Sequence, residues 1–78
     1  MAKSVKVYST PTCPYCIRLK QFLTDNNIAF ENYDVSTDQA RAEEMIERSG
    51  QMGVPVIDID GEIIVGFDKS RIQQALGL

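Results

Sequence analysis

Apolar positions along this chain alternate, then recur at helical spacing, and repeat that change of period to the end. Val5-Lys6-Val7-Tyr8 alternates in β-forming residues and predicts a first strand. Thr10-Pro11-Thr12 interrupts it. Pro14 suits the first turn of a helix, where a missing N–H forfeits no intrahelical bond. Behind it Tyr15, Leu19, Phe22 and Leu23 form one apolar helical stripe, which Asn26-Asn27 ends. Ile28 to Val35 predicts a second strand. Ser36 and Gln39 have the spacing of a capping box, and the helix they open carries Ala42, Met45 and Ile46 on one face. Ser49-Gly50 stops it. Val56-Ile57-Asp58-Ile59 is a third strand, Asp60-Gly61 a two-residue hairpin turn, and Glu62 to Val65 the returning strand. Gly66 breaks the pattern, and Asp68 caps a last helix with Ile72, Ala75 and Leu76.

The order is therefore β-α-β-α-β-β-α. Strand, helix, strand implies a right-handed parallel crossover, and the Asp60-Gly61 hairpin adds an antiparallel pair. An α/β domain over residues 1–78 follows, a four-stranded mixed sheet flanked by three helices. A chain of 78 residues makes one domain with a modest core. Phe22, Met45 and Ile46 are expected in that core. Tyr8 and Tyr33 are expected to pack on strands with wet hydroxyls, and Asp38, Glu43, Glu44 and Glu47 to form a solvated helix face.

Charge narrows the partners. Eleven acidic and eight basic residues give a net charge of -3, and no Lys/Arg stripe forms, which argues against nucleic acid or an anionic membrane surface. In this fold Tyr8 and Tyr15 are expected to be the nearest aromatic pair, too little for base stacking. No apolar run approaches the roughly 18 residues of a membrane span. Met1 to Val7 lacks the apolar stretch of a signal peptide, so the cytoplasm is the expected compartment.

Against that background the chemistry is concentrated in Cys13-Pro14-Tyr15-Cys16, in a chain with no other cysteine and no histidine. A C-x-x-C beside a βαβ pattern reads as a thioredoxin-like redox site. Cys13 falls at the cap position of the first helix, where unpaired N–H groups and the dipole favour a thiolate. Cys16 lies one turn on, within disulfide reach and more buried. The Cys13 thiolate then attacks a substrate disulfide, and Cys16 resolves the mixed disulfide. Other readings of the pair stay open. Zinc wants four ligands, so a zinc site needs two chains. An iron–sulfur cluster needs two chains or added small thiols. A static disulfide here closes only a tight loop and stabilises little.

With Thr12-Cys13-Pro14-Tyr15-Cys16 after a strand, the chain resembles the glutaredoxins. The resemblance continues through Glu44-Met45-Ile46, Arg48-Ser49-Gly50, Val54-Pro55 and Gly66-Phe67-Asp68. It implies a thioredoxin-like fold and reduction of disulfide-containing proteins or small disulfides with no bound cofactor. Glutathione is the implied cosubstrate, and the chain is expected to act as a monomer. It also implies that Pro55 is cis and faces the cysteine pair, with the Val54 backbone offered to an extended substrate. Pro14, Tyr15, Gln51, Gly66, Phe67 and Asp68 complete the implied glutathione or substrate site. Three positions depart from the family pattern. Thr10 stands where many members have Lys, Gly53 where many have Thr, and Lys69 where many have a second acid. The pattern is also similar to redoxins that take electrons from a thioredoxin reductase-type flavoprotein, some of which serve ribonucleotide reductase. Gly66-Phe67 carries that likeness.

Overall fold

A computed structural model describes residues 4–78; residues 1–3, part of the stretch read for a targeting signal, lie outside the described residues. The elements are β1 (Val5–Ser9), α1 (Pro14–Asp25), β2 (Glu31–Asp34), α2 (Gln39–Ser49), β3 (Val56–Ile59), β4 (Glu62–Val65) and α3 (Lys69–Leu76). The sheet runs β2-β1-β3-β4. β1 and β2 are parallel, whereas β1 with β3 and β3 with β4 are antiparallel. This is the mixed sheet that the sequence predicts.

Strand alternation divides the apolar residues between two faces. Val5, Val7, Ile57, Ile59 and Ile64 turn to one side, where Leu19 and Leu23 of α1 and Ile72 and Ala75 of α3 cover them. Tyr8 and Val56 turn to the other side, against Met45 of α2. With helices on both faces, β3 is buried along its whole length, Asp58 included. Among the described residues no helix is long and apolar enough to cross a membrane.

The polar groups in this interior are paired. Asp58 Oδ1 accepts the Gly61 N–H at 2.7 Å and so closes the β3–β4 turn. Its Oδ2 bridges to Arg48 Nη1 of α2, also at 2.7 Å, with the Asp58 side chain only 6% exposed. The Tyr8 hydroxyl donates to Glu44 Oε1 at 3.0 Å. Burial, then this carboxylate, pushes the Tyr8 hydroxyl up to about 12. Glu44 is in turn held below the ordinary carboxylate range by the Arg41 guanidinium at 2.7 Å. Tyr8 is therefore a sealed donor with no wet hydroxyl, and its acceptor Glu44 is only partly exposed on the helix face.

Other expectations also change. Asp38, not Ser36, caps α2, its Oδ1 accepting the Arg41 N–H at 3.1 Å. Ser36 is already committed to Asp34, whose Oδ1 accepts its N–H at 3.0 Å, so the capping box does not form. β2 is shorter than the apolar run from Ile28. Asn27 is left-handed, and the Ile28 N–H bonds back to the Leu23 carbonyl at 2.8 Å, tying Ile28 to the end of α1. Ile28 and Phe30 still pack on the core from outside the ladder. Ile46 is 37% exposed, on the flank of α2 rather than in the core. The rings that meet are Tyr8 with Tyr33 at 5.4 Å and Phe22 with Phe67 at 5.9 Å, not Tyr8 with Tyr15.

Replacing Asp58 removes both the turn acceptor and the partner of Arg48. Asp58→Ala should lower the unfolding free energy by about 1–3 kcal/mol in urea titration. A loss under about 0.5 kcal/mol, the usual range for a surface change, would contradict this role.

Candidate redox site

β1 delivers the chain to the carboxyl end of the sheet, and the next helix begins at Pro14. The turn between them is closed by the Cys13 N–H, which donates to the Thr10 carbonyl at 3.4 Å. Cys13 is extended, with φ -92° and ψ 113°, and is the N-cap of α1. Pro14 contributes no N–H. The Cys13 sulfur accepts the Cys16 N–H at 3.2 Å, one of the donors that a helix start leaves without an intrahelical partner. Leu19 and Leu23, buried against the sheet, hold the helix in this orientation.

The two thiols differ sharply. Both are unbridged; Cys13 is half-buried and Cys16 has no exposed surface. Burial first, then the hydrogen bond with Cys13, pushes the Cys16 thiol from 9.0 up to about 11; the Thr10 backbone acts in the opposite sense. Cys16 therefore stays a thiol at neutral pH.

The facing wall is the loop entering β3. The Val54–Pro55 peptide is cis, Pro55 is buried, and the Val54 carbonyl oxygen lies 3.9 Å from the Cys13 sulfur. The Gly66 N–H donates to the Pro55 carbonyl at 2.8 Å, with Gly66 left-handed at φ 79°. That bond turns the chain out of β4 beside the proline. Phe67 then packs its ring on Phe22, and Asp68 Oδ1 caps α3 by accepting the Arg71 N–H at 3.2 Å.

The structure thus brings Cys13, Cys16 and Val54 together, with Pro55 and Gly66 bonded behind them. Pro14 and Tyr15 are exposed on the first turn of α1, and Tyr15 stands below the Arg18 guanidinium at 5.7 Å. Asp68 is exposed, while Phe67 is half-buried against the core rather than a free rim. Gln51 is turned onto its own loop, its amide bonding the N–H and C=O of Gly53. Lys69, which stands where many glutaredoxins have an acid, places its ammonium over the Phe22 ring at 5.7 Å. Sequence reasoning missed the Gln51–Gly53 closure, because a Gln two residues before a Gly carries no turn signal of its own. It also missed Arg18 over Tyr15, for which helical i, i+3 spacing was an available sign.

Comparison with known proteins agrees with this fold. A family model described as Glutaredoxin matches residues 5–64. A glutaredoxin-like 8.6 kDa protein of the rubredoxin operon of Clostridium pasteurianum is 50% identical over 72 residues, 92% of this chain and 96% of that protein. Glutaredoxin 3 of Escherichia coli strain K12 is 42% identical over 74 residues, 95% of this chain and 89% of that one. The crystal structure of the thioredoxin-like protein BC3987 superposes with a TM-score of 0.88 at 37% identity, covering 94% of this chain and all of that one.

Iodoacetamide at pH 7 should modify Cys13 of the reduced, folded protein and spare Cys16, by about tenfold in rate or more. Peptide mapping reads the two sites separately. Cys16 should become reactive only as the pH rises towards about 11 or when the chain unfolds. Equal rates at pH 7 would contradict the burial of its thiol.

Proposed function

We propose, because the chain belongs to the glutaredoxin family and is a thiol–disulfide oxidoreductase, that Cys13 is its attacking thiol and Cys16 its resolving one. Members of the family reduce disulfides with no bound cofactor and with glutathione as reductant. The observation that carries the assignment is the Cys13 sulfur, half-buried at the start of α1, beside the Val54 carbonyl and above a sealed Cys16.

In the first step the Cys13 thiolate attacks one sulfur of a substrate disulfide. A Cys13–substrate disulfide forms, and the other half leaves as a thiolate. In the second, Cys16 loses its proton and attacks the Cys13 sulfur. The Cys13–Cys16 disulfide forms and the second substrate thiolate departs. The substrate has gained two electrons, the cysteine pair has lost two, and the departing thiolates take up protons. The raised Cys16 pKa keeps that thiol protonated until attack, so its proton leaves as the second disulfide forms. Two molecules of a thiol such as glutathione return the electrons and become a disulfide.

The groove is formed by the Val54 backbone and Pro55, flanked by Pro14 and Tyr15 and by Gly66, Phe67 and Asp68. An extended substrate pairs with Val54 by strand addition. Glutathione is the proposed direct reductant, following the family, although Thr10, Gly53 and Lys69 depart from its pattern and the exposed Lys69 ammonium over the Phe22 ring keeps its charge. The protein acts as a monomer in the cytoplasm on disulfide-containing proteins. Gly66-Phe67 also favours a place for the same dithiol as electron donor to an enzyme such as ribonucleotide reductase.

The test follows NADPH oxidation on a small disulfide, once with glutathione and glutathione reductase, once with thioredoxin reductase alone. Turnover is expected with the glutathione system, falling to the uncatalysed baseline in Cys13→Ser. Turnover only with thioredoxin reductase would overturn the choice of reductant. Turnover that survives Cys13→Ser would overturn the nucleophile.

A further inference from the structure

Gln51 lies between the end of α2 and the Val54–Pro55 peptide, and its side chain serves its own loop. Oε1 accepts the Gly53 N–H at 2.6 Å, and Nε2 donates to the Gly53 carbonyl at 3.0 Å. A primary amide carries an acceptor and a donor side by side. Here both meet the N–H and C=O of one residue, the same two groups that a hydrogen-bonded strand neighbour would engage. The other end of the loop is held by Ser49. Its Oγ accepts the Gln51 N–H at 3.4 Å and donates to the Met45 carbonyl at 2.6 Å, in the last turns of α2.

This closure requires glycine. A Cβ on Gly53 would stand 2.7 Å from Gln51 Oε1, closer than such atoms approach, so any larger residue there displaces the amide. Gln51 and Gly53 are thus a single device, and the departure of residue 53 from the family pattern has a local cause. The residue after Gly53 is Val54, whose carbonyl faces the Cys13 sulfur at 3.9 Å.

We propose that Gln51 is a positioning residue: its amide, closed on Gly53, holds the Val54 backbone for pairing with a peptide substrate. The inference rests on the reading of Cys13 as nucleophile and of Val54 as the substrate's backbone partner. It deepens that reading by naming a substrate class. A thiol-bearing peptide pairs with the held Val54 backbone, and the site favours disulfides with a peptide backbone next to the sulfur over those without one.

The test compares single-turnover rates of the reduced protein with two disulfides. One is a short cystine-linked peptide, the other 2-hydroxyethyl disulfide, which has no peptide group. In Gln51→Ala the ratio of the peptide rate to the hydroxyethyl rate should fall about fivefold, the factor for one net hydrogen bond. The loss should appear in the concentration needed for half-maximal rate more than in the limiting rate. Gly53→Ala should lower the ratio equally, because it expels the same amide. The double variant should stay within about twofold of either single one. Gln51→Glu, which keeps an acceptor for the Gly53 N–H, should recover part of the loss. Since both disulfides are read on one sample, partial unfolding cancels from the ratio. An unchanged ratio, or additive losses in the double variant, overturns the proposal. A Gly53→Ala variant that gains on the peptide also overturns it, since it would make the freed Gln51 a direct substrate contact. If Cys13→Ser still reduces 2-hydroxyethyl disulfide, the underlying assignment of the nucleophile fails instead, whatever the ratio shows.

Discussion

A helix start leaves backbone N–H groups without partners, and in this chain a sulfur atom takes one of them. The Cys13 sulfur accepts the Cys16 N–H, and this bond joins the fold to the chemistry. It exists because β1 ends in an extended turn, because Pro14 removes one competing donor, and because Leu19 and Leu23 press the helix onto the sheet. An oxygen from Ser or Asp would cap the helix as well. Sulfur is a weaker acceptor than those oxygens, but it makes the helix cap and the proposed attacking atom the same group.

The rest of the site follows from burial on either side of that bond. One turn along α1, Cys16 faces the packed interior, and the same packing that orients the helix raises its pKa to about 11. Two cysteines three positions apart thus differ in exposure, Cys13 half-buried and Cys16 sealed. The facing wall depends on the second core. Tyr8, Met45 and Val56 seat α2 on the sheet, and Tyr8, Glu44, Arg41, Arg48 and Asp58 tie its polar groups down. The loop leaving α2 then meets β3 at Val54–Pro55, opposite Cys13. The Cys13 sulfur and the Val54 carbonyl therefore meet between elements that are each anchored independently to the sheet.

Much of this was legible in the sequence. The change of hydrophobic period located all seven elements, and the Asp60-Gly61 turn and the Asp68 cap are where the residues indicated. C-x-x-C after a strand placed the cysteine pair, and the resemblance to glutaredoxins placed Val54-Pro55 opposite it. What stayed hidden depends on competition between near-equal local partners or on distant ones. Ser36 and Asp38 both suit an N-cap, and only the Asp34 turn decides between them. Ile28 looks like strand, but the left-handed Asn27 commits it to the end of α1. Glu44 looks like any exposed acid until Tyr8, 36 residues away, is brought beneath it. Gln51 closing on Gly53 is a side-chain choice that residue types alone do not announce.

The central claim, that Cys13 attacks and Cys16 resolves, has one direct measurement. The reduced Cys16→Ser variant is mixed with a cystine-linked peptide, quenched in acid, and mapped by mass spectrometry. The account predicts a stable peptide adduct on Cys13, with the other half of the peptide released as thiol, because no second sulfur is present to displace it. An unmodified Cys13 with the peptide disulfide intact would contradict it.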